Sequence, residues 1–388
     1  MTRAKSKIIL PILLSFFVLS FVDLVGTGVD ELRKDSNTPE YLLQFIPFVA
    51  FIWYFLLSVP TGIWQAKVGK KKALNYAILI TATGLFVPLL GNNLPVILLA
   101  FSLLGIGNTI MQVAASPLLV DVVSEKKASS FLSLSQFIKS LGSMIGPFVA
   151  AVVGPFLAQL FNYEGEGTWR FGLYLFGVIS VMSFLWLSAT KIEENKIAQK
   201  NVSIQSCIDV LKDRYVVLMV LGIFAVVGID VAINSNIGTF LQQKIGIGEE
   251  AAKYGKSIYF FAKMVGTFIG AIVLTKWNPK SFLFFSSLLA LVFVIALSVI
   301  SNHLLAWIFI GVISLGVSNI FPLIYSITVT KYPAKSNEIS GLMMMAISGG
   351  AIIPFLVGLA MQYHPNGALF VLMLLLVFLL LINRWSSN

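Results

Sequence analysis

Apolar runs of about twenty residues recur along the whole chain and contain almost no charged side chains. At a helical rise of ~1.5 Å per residue, each run is long enough to cross a hydrocarbon layer ~30 Å thick. The chain is 57% hydrophobic and only 11% charged, so its polar side chains are too few to coat a soluble globule of 388 residues. The pattern predicts an all-α integral membrane protein with twelve transmembrane helices, at roughly 8–29, 41–65, 73–90, 94–123, 128–161, 168–189, 215–242, 254–275, 281–300, 303–330, 337–362 and 367–383.

Successive loops between the predicted helices lie on alternate sides of the membrane, and basic residues are distributed unequally between these two sides. Of the 27 lysines and arginines, nineteen fall on the side of the N-terminus and six on the opposite side. The remaining two, Lys139 and Lys263, lie inside predicted helices. Because cytoplasmic loops carry the excess of positive charge, the count places both termini in the cytoplasm of a cell whose inner membrane the chain spans. The net charge of +10 therefore reflects topology and does not indicate a nucleic-acid partner.

The chain divides into two halves joined by a polar segment. We predict a six-helix bundle over residues 1–189, a cytoplasmic linker with an amphipathic segment over 190–213, and a second six-helix bundle over 214–388. An offset of 207 residues aligns Asp23 with Asp230 and Gln112 with Asn319. One offset that serves several helices indicates a repeated unit, with a binding site between the copies near mid-membrane.

The stretch GIWQAKVGKKK, residues 62–72, lies between the second and third predicted helices. It resembles the conserved loop of the major facilitator superfamily, which carries two glycines, an acid and a basic cluster. Gly62, Gly69 and the lysines are present, but Ala66 stands where the family has the acid. The resemblance implies a fold of two pseudo-symmetric six-helix bundles around a central cavity, and a charge relay with a helix end that is weakened here.

Within that superfamily, the chain is similar to the fucose permease group of sugar:proton symporters. The similar stretches are GIGNTIMQVAASPLLVDVV at 105–123 and, within 319–358, NIFPLIYSI and EISGLMMMAISGGAIIPFLVG. This resemblance implies inward movement of a sugar coupled to a proton. The group uses an acid in helix 4, where this chain has Gln112, and an acid in helix 1, where the match is Thr27 and Asp23 lies one turn earlier. Asp23 has therefore taken over the proton, or coupling differs here.

Two carboxylates lie inside predicted helices. An ionised carboxylate facing lipid costs ~3 kcal/mol or more, so Asp23 and Asp230 are expected to face a bundle interior or water. Each is either a structural partner or a proton-coupling residue. Counting ~1.5 Å per residue from the helix ends places Lys263 at the height of Asp230, and burial of either charge alone is costly. We therefore predict an Asp230–Lys263 ion pair.

A second layer of polar side chains lies closer to the cytoplasm. Lys139 shares its level with Gln112 and Asn319, and no acid of the chain lies closely at that height. The polar spacing predicts a wet cavity, and interhelical hydrogen bonds are the alternative explanation of such stripes. The candidate substrate-binding residues are Asn108, Gln112, Gln136, Lys139, Asn234, Lys263 and Asn319. An unpaired Lys139 favours a sugar acid, such as a sialic or uronic acid, as the solute, and a neutral hexose is the alternative.

Other function classes find little support. The chain has no GxxxxGK[ST] phosphate loop and no histidine and cysteine set at ligand spacing, so we predict no ATPase, no cofactor, no metal site and no enzyme.

Proton-coupled antiport, with export of drugs or metabolites, is the main alternative, because GSMIGPFVAA at 142–151 is similar to the signature of drug antiporters. Helix packing explains the same glycines. A non-transporting receptor would not need buried charge. We expect a monomer in the lipid bilayer, which is the superfamily default.

Overall fold

The computed structural model describes residues 3–25, 28, 45–163, 165, 167–194, 202–248, 254–364 and 366–385. Ten of its helices are long and apolar enough to cross a membrane, and two shorter apolar helices, over 257–273 and 367–383, occupy the places predicted for the eighth and twelfth spans. The predicted all-α membrane fold is confirmed. Thr27 lies outside the described residues.

The described residues of the first half of the sequence contain six long helices. They are α1 Arg3–Leu19, α2 Phe45–Val68, α3 Lys70–Phe86, α4 Leu94–Val122, α5 Glu125–Phe148 and α6 Arg170–Ala189. A 3-10 turn, Ser20–Leu24, extends α1, and a π-helical turn, Val149–Val153, joins α5 to the short helix Gly154–Leu160.

The second half begins after a short helix, Ile204–Val210, which follows the polar segment. The long helices among the described residues of this half are α7 Arg214–Phe240, α8 Tyr254–Val273, α9 Pro279–Val299, α10 in two parts, His303–Val317 and Ile320–Lys331, α11 in two parts, Ser336–Met345 and Gly349–Tyr363, and α12 Gly367–Trp385. Ser318 and Asn319 interrupt α10, and a 3-10 turn, Ala346–Ser348, interrupts α11. The interruption of α10 places Asn319 at a helix break, which bears on the site described below.

Local sequence signals set where α9 and α10 begin. The side chain of Asn278 accepts a hydrogen bond from the amide of Lys280, and Pro279 occupies the first turn of α9. Asn302 accepts a hydrogen bond from the amide of Leu305 at the start of α10. An asparagine cap satisfies an amide that the helix leaves free, and a proline in the first turn has no amide to satisfy.

The chain forms two compact units. Unit 1 comprises residues 1–122, 138–204 and 336–345, and unit 2 comprises 123–137, 205–335 and 346–388. In unit 1, α4 packs on α2 and α3, and the first part of α11 packs on α2 and α4. In unit 2, α7 packs on the second part of α11, and α10 packs on α8 and α9. Both α5 and α11 therefore contribute residues to each unit.

Candidate functional site

Asp23 lies in the 3-10 turn that ends α1. Its side chain is exposed, and Oδ2 accepts a hydrogen bond from the hydroxyl of Ser143 on α5 at 2.5 Å. No basic side chain of the described residues lies within 4 Å of this carboxylate. Asp23 is thus a carboxyl group that is held on one side and open on the other.

Lys139 lies on α5, one helical turn before Ser143. The hydroxyl of Ser143 is 3.1 Å from the carbonyl oxygen of Lys139, so the serine connects the Asp23 carboxylate with the backbone of this turn. The Lys139 side chain is partly exposed, and within the described part of the chain it has no carboxylate within 4 Å. Unit 1 therefore presents an ammonium and a carboxylate that are not paired with each other.

Both polar atoms of the Asn108 side chain, on α4, make hydrogen bonds within unit 1. Its Nδ2 donates to the carbonyl oxygen of Leu19 at 2.7 Å, and its Oδ1 accepts from the hydroxyl of Tyr54 on α2 at 2.7 Å. The side chain is 2% exposed. The bond to Leu19 falls where α1 tightens into its 3-10 turn, so Asn108 holds the turn that carries Asp23. This geometry favours a structural role for Asn108.

Gln112 lies one turn further along α4, and it is also 2% exposed. In contrast to Asn108, its Oε1 is buried and has no hydrogen-bond partner. Gln136, which belongs to unit 2, has a buried Nε2 in the same condition. A buried polar atom without a partner is costly unless water or a ligand supplies one. Each of the two glutamines therefore has one buried polar atom whose hydrogen bond no described protein atom supplies.

Asp230 on α7 and Lys263 on α8 form the predicted ion pair. Lys263 Nζ lies 2.6 Å from Asp230 Oδ2, and the buried Tyr259 donates its hydroxyl to Asp230 Oδ1 at 2.7 Å. The backbone carbonyl of Tyr259 accepts from Ser314 on α10 at 2.6 Å. About a quarter of each charged side chain is exposed. The prediction is confirmed, and both carboxylate oxygens of Asp230 are occupied.

Asn319 and Asn234 complete the polar residues of unit 2. Asn319, at the break of α10, donates from Nδ2 to the carbonyl oxygen of Gly266 at 2.7 Å, while its buried Oδ1 has no partner. Gly270 is in close contact with the same amide, so α8 and α10 approach closely here. Asn234, one turn after Asp230 on α7, has an unpartnered buried Oδ1. The Asn234 and Asn319 side-chain carbonyl oxygens are therefore two buried acceptors of unit 2 that lack a hydrogen-bond donor.

The stretch between α2 and α3 is held by an acid far away in the sequence. Gly69 has a φ of +94°, a conformation that favours glycine. The carboxylate of Glu194 accepts hydrogen bonds from the amides of Lys70 at 2.6 Å and Lys71 at 3.1 Å, at the N-terminus of α3. Ala66 cannot supply a charge, and Glu194 supplies one at the positive end of this helix instead.

The Lys70 side chain makes a buried ion pair in the same region. Its Nζ lies 2.8 Å from Asp121 Oδ2 at the end of α4, and 3.4 Å from the hydroxyl of Ser336. The lysine is only 1% exposed. Of the three lysines in this cluster, Lys70 therefore stabilises unit 1 through a buried ion pair.

Comparison with known families decides the class of protein. The family model of the Major Facilitator Superfamily matches residues 12–355. The chain belongs to the Major Facilitator Superfamily. A glucose/galactose transporter of Brucella abortus is 28% identical over 362 residues, which cover 89% of this chain and 85% of that protein. A putative glucose/galactose transporter of Helicobacter pylori is 26% identical over 356 residues, covering 87% and 85%.

Solved structures of superfamily members share the fold. A crystal structure of the Escherichia coli fucose:proton symporter FucP matches with a TM-score of 0.84 and 18% identity, covering 99% of this chain and 100% of that one. The proton:xylose symporter XylE matches with a TM-score of 0.74 and 13% identity, covering 98% and 95%. The likeness shows that the twelve-helix superfamily fold extends over the whole chain.

Proposed function

We propose that this chain is a secondary active transporter that takes up a hexose together with a proton by alternating access. Its full-length relatives are named glucose/galactose transporters, and a galactose-proton symporter of Escherichia coli is 24% identical over 154 residues. A hexose offers several hydroxyls and no charge. Unpartnered amide atoms of Gln112, Gln136, Asn234 and Asn319 are suited to bind such hydroxyls.

One observation carries the coupling to protons: Asp23 has a hydroxyl partner, no basic partner among the described residues, and an exposed side. A carboxyl group that is alternately open to water and enclosed by solute or helices can bind a proton in one state and release it in the other. Asp230 is the second coupling candidate. Its carboxylate is occupied by Lys263 and Tyr259, so it is less free to exchange a proton.

Purified protein in proteoliposomes tests this proposal. An inward proton gradient should drive accumulation of labelled glucose or galactose in the wild type. Asp23→Asn should abolish accumulation but retain exchange between equal pools, because exchange needs no net proton movement. Ser143→Ala is the matched variant: it removes the hydroxyl partner and keeps the carboxyl, so accumulation should persist. Undiminished accumulation by Asp23→Asn would transfer the role to Asp230.

A sugar acid is the second candidate solute, and the unpaired Lys139 favours it. The Lys139 ammonium has no carboxylate within 4 Å among the residues described, so it could bind the carboxylate of a sialic or uronic acid. Competition against labelled hexose separates the two candidates. A sugar acid is supported if sugar acids inhibit uptake and this inhibition weakens at least about tenfold in Lys139→Gln. Such a loss corresponds to one charge-assisted contact. Inhibition by neutral hexoses alone, unchanged in Lys139→Gln, supports the hexose.

Export is not favoured. The glycines of GSMIGPFVAA are accounted for by packing, because Gly142 contacts Ser20, and a Cβ at Gly146 would lie 2.9 Å from the Leu24 side chain. The named relatives are sugar transporters. We also propose that the protein carries out no catalysis of its own.

The same proposal includes a topology. The chain lies in the inner membrane as a monomer, with both termini in the cytoplasm and two six-helix bundles over 1–189 and 214–388. The linker, 190–213, contains the short helix Ile204–Val210, which buries Cys207 and exposes Ile204 and Ile208. An exposed apolar face of this kind is suited to the cytoplasmic surface of the bilayer. Proteolysis or tag labelling at residue 200 from the cytoplasmic side tests the orientation.

A further inference from the structure

The Asp230–Lys263 pair is only partly buried, although both residues lie in long apolar helices. About a quarter of each charged side chain remains accessible. An enclosed ion pair is often no more stable than apolar side chains of the same volume, because removal of two charges from water is costly. Stability alone therefore does not account for a charged pair that stays accessible on α7 and α8.

Both members of the pair have hydrogen-bonding capacity that the described residues do not use. Asp230 Oδ1 accepts from the Tyr259 hydroxyl and Oδ2 accepts from Lys263, and each oxygen of a carboxylate can accept a second bond. The Lys263 ammonium has three donors, and Asp230 is the acceptor that the described residues give it. The pair thus presents an acceptor and a donor side by side, on two atoms 2.6 Å apart.

Contacts on the buried side hold the pair in place. Tyr259 and Lys263 are four residues apart on α8, so their side chains lie on the same face of the helix. Tyr259 is 1% exposed; its hydroxyl donates to Asp230, and its backbone carbonyl oxygen accepts from Ser314 of α10 at 2.6 Å. The buried Thr267 hydroxyl lies 3.1 Å from the Lys263 carbonyl oxygen. Three helices therefore fix the pair, and ligand binding requires little further ordering of these side chains.

Two adjacent hydroxyls of a sugar ring match this arrangement. Their oxygens lie about a hydrogen-bond length apart, roughly 2.8 Å, which is close to the separation of Lys263 Nζ and Asp230 Oδ2. One hydroxyl can donate to the carboxylate while its neighbour accepts from the ammonium. Bonds to charged groups are about twice as strong as bonds between neutral groups. The pair carries no net charge, so it is suited to an uncharged polyol rather than to an anion.

We propose that the Asp230–Lys263 pair is the part of the solute site that binds two adjacent hydroxyls of a hexose, and that it selects sugars in which both are present. Asn234 lies one turn after Asp230 on α7, and its unpartnered side-chain oxygen is an acceptor for a further hydroxyl. The hexose itself is taken from the proposed function, on which this assignment rests. The pair adds which groups of the sugar are recognised.

Equilibrium binding to the purified wild type in detergent tests the assignment without a proton gradient. Labelled glucose or galactose is displaced by the unlabelled hexose and by each of its monodeoxy analogues, in which one hydroxyl is replaced by hydrogen. We expect two analogues, modified at adjacent ring positions, to bind at least about tenfold more weakly than the parent hexose, as the loss of one hydrogen bond predicts. Fewer than two sensitive hydroxyls, or sensitive hydroxyls of which no two are adjacent, would overturn the proposal.

The double variant Asp230→Asn with Lys263→Met tests whether the pair binds the sensitive hydroxyls. Asparagine keeps an acceptor for Tyr259, and methionine keeps much of the lysine length, but both charges are removed. The parent hexose should bind at least about tenfold more weakly, and its advantage over the two analogues should fall below about threefold. The matched control, Asp209→Asn with Lys212→Gln, removes an exposed ion pair of 2.7 Å and should keep the wild-type profile.

A structural role alone predicts a different result. A double variant that binds the parent and all analogues more weakly by one common factor would overturn the assignment, as would an unchanged profile. Should the double variant fail to fold, Lys263→Arg keeps the ion pair but moves its donors, so it should weaken the parent more than one of the two analogues, and equal weakening would overturn the assignment. A wild type that binds no hexose would overturn the proposed function and this assignment with it, whereas hexose binding with a contrary profile overturns the assignment alone.

Discussion

Lys263 Nζ and Asp230 Oδ2 lie 2.6 Å apart, whereas Asp23, its counterpart at an offset of 207 residues, has a serine hydroxyl as its partner. The two aspartates therefore differ in chemistry although they align in sequence. One carboxylate is neutralised by an ammonium and a tyrosine hydroxyl. The other has no basic partner within 4 Å among the described residues, and the proposed coupling role rests on it.

The Asp230–Lys263 pair should stabilise unit 2. Asp230→Asn leaves the Lys263 ammonium without its partner and should lower the stability by about 2 kcal/mol, the cost of losing a charge-assisted hydrogen bond in a partly exposed pair. The double variant Asp230→Asn with Lys263→Gln removes both charges and should recover most of the loss. Melting temperatures in detergent measure both effects. A double variant no more stable than Asp230→Asn would contradict the ion-pair explanation.

Glu194 should stabilise the N-terminus of α3. Glu194→Gln removes the charge that accepts hydrogen bonds from the amides of Lys70 and Lys71, and it should cost about 1 kcal/mol, as the loss of a helix cap does. Glu193→Gln is the matched control, because Glu193 is the exposed neighbour with the same charge. Equal melting temperatures of the two variants would show that the contact contributes nothing.

Asp213 and Tyr332 should give unit 2 a stability that depends on pH. The Tyr332 hydroxyl is 2.6 Å from Asp213 Oδ2, and this bond is the main cause that lowers the pKa of the Asp213 carboxyl. Burial, and then the bond to Asp213, raises the pKa of Tyr332 to about 12. A lowered carboxyl pKa stabilises the fold above the ordinary value near 4, and this contribution is lost as the pH falls further. A raised tyrosine pKa stabilises it below about 10, and that contribution is lost as the pH rises toward 12.

Melting temperature against pH checks this expectation. The wild type should exceed Tyr332→Phe between pH about 5 and 9, and the difference should shrink at both more acidic and more alkaline pH. Lys331 Nζ lies 3.6 Å from the centre of the Tyr215 ring. Tyr332→Phe leaves this cation–π contact in place, so the contact does not contribute to the difference between the two proteins. A difference that is the same at every pH would assign the effect to packing alone.

The helices were predictable because they depend on the length and composition of local segments. Lipid requires every span to be apolar over its full length, so the end of each apolar run gives the end of a helix to within a few residues. The Asp230–Lys263 pair was predictable for a similar reason, since depth along a straight helix follows from counting residues.

Tertiary contacts between residues far apart in the sequence were not predictable. Tyr54 and Tyr259 occur in apolar helices at no distinctive spacing, and their roles depend on which helix lies opposite. Glu194 reaches Lys70 across 124 residues of sequence, and the missing acid at Ala66 predicted only a weakened charge relay. Asn108 and Gln112 share a helix face and a chemistry, so sequence alone could not distinguish the structural amide from the available one.

These two amides give the sharpest test of that distinction. Asn108→Ala leaves the Leu19 carbonyl and the Tyr54 hydroxyl without partners, and should lower the stability by about 2 to 3 kcal/mol through two buried unmet hydrogen bonds. Gln112→Met keeps the side-chain volume and removes an oxygen that has no partner, so the melting temperature should not fall. The affinity for solute should instead decrease about tenfold, the equivalent of one hydrogen bond. Binding measured on the folded fraction of each variant separates the two roles, and an unchanged affinity in Gln112→Met would remove this residue from the site.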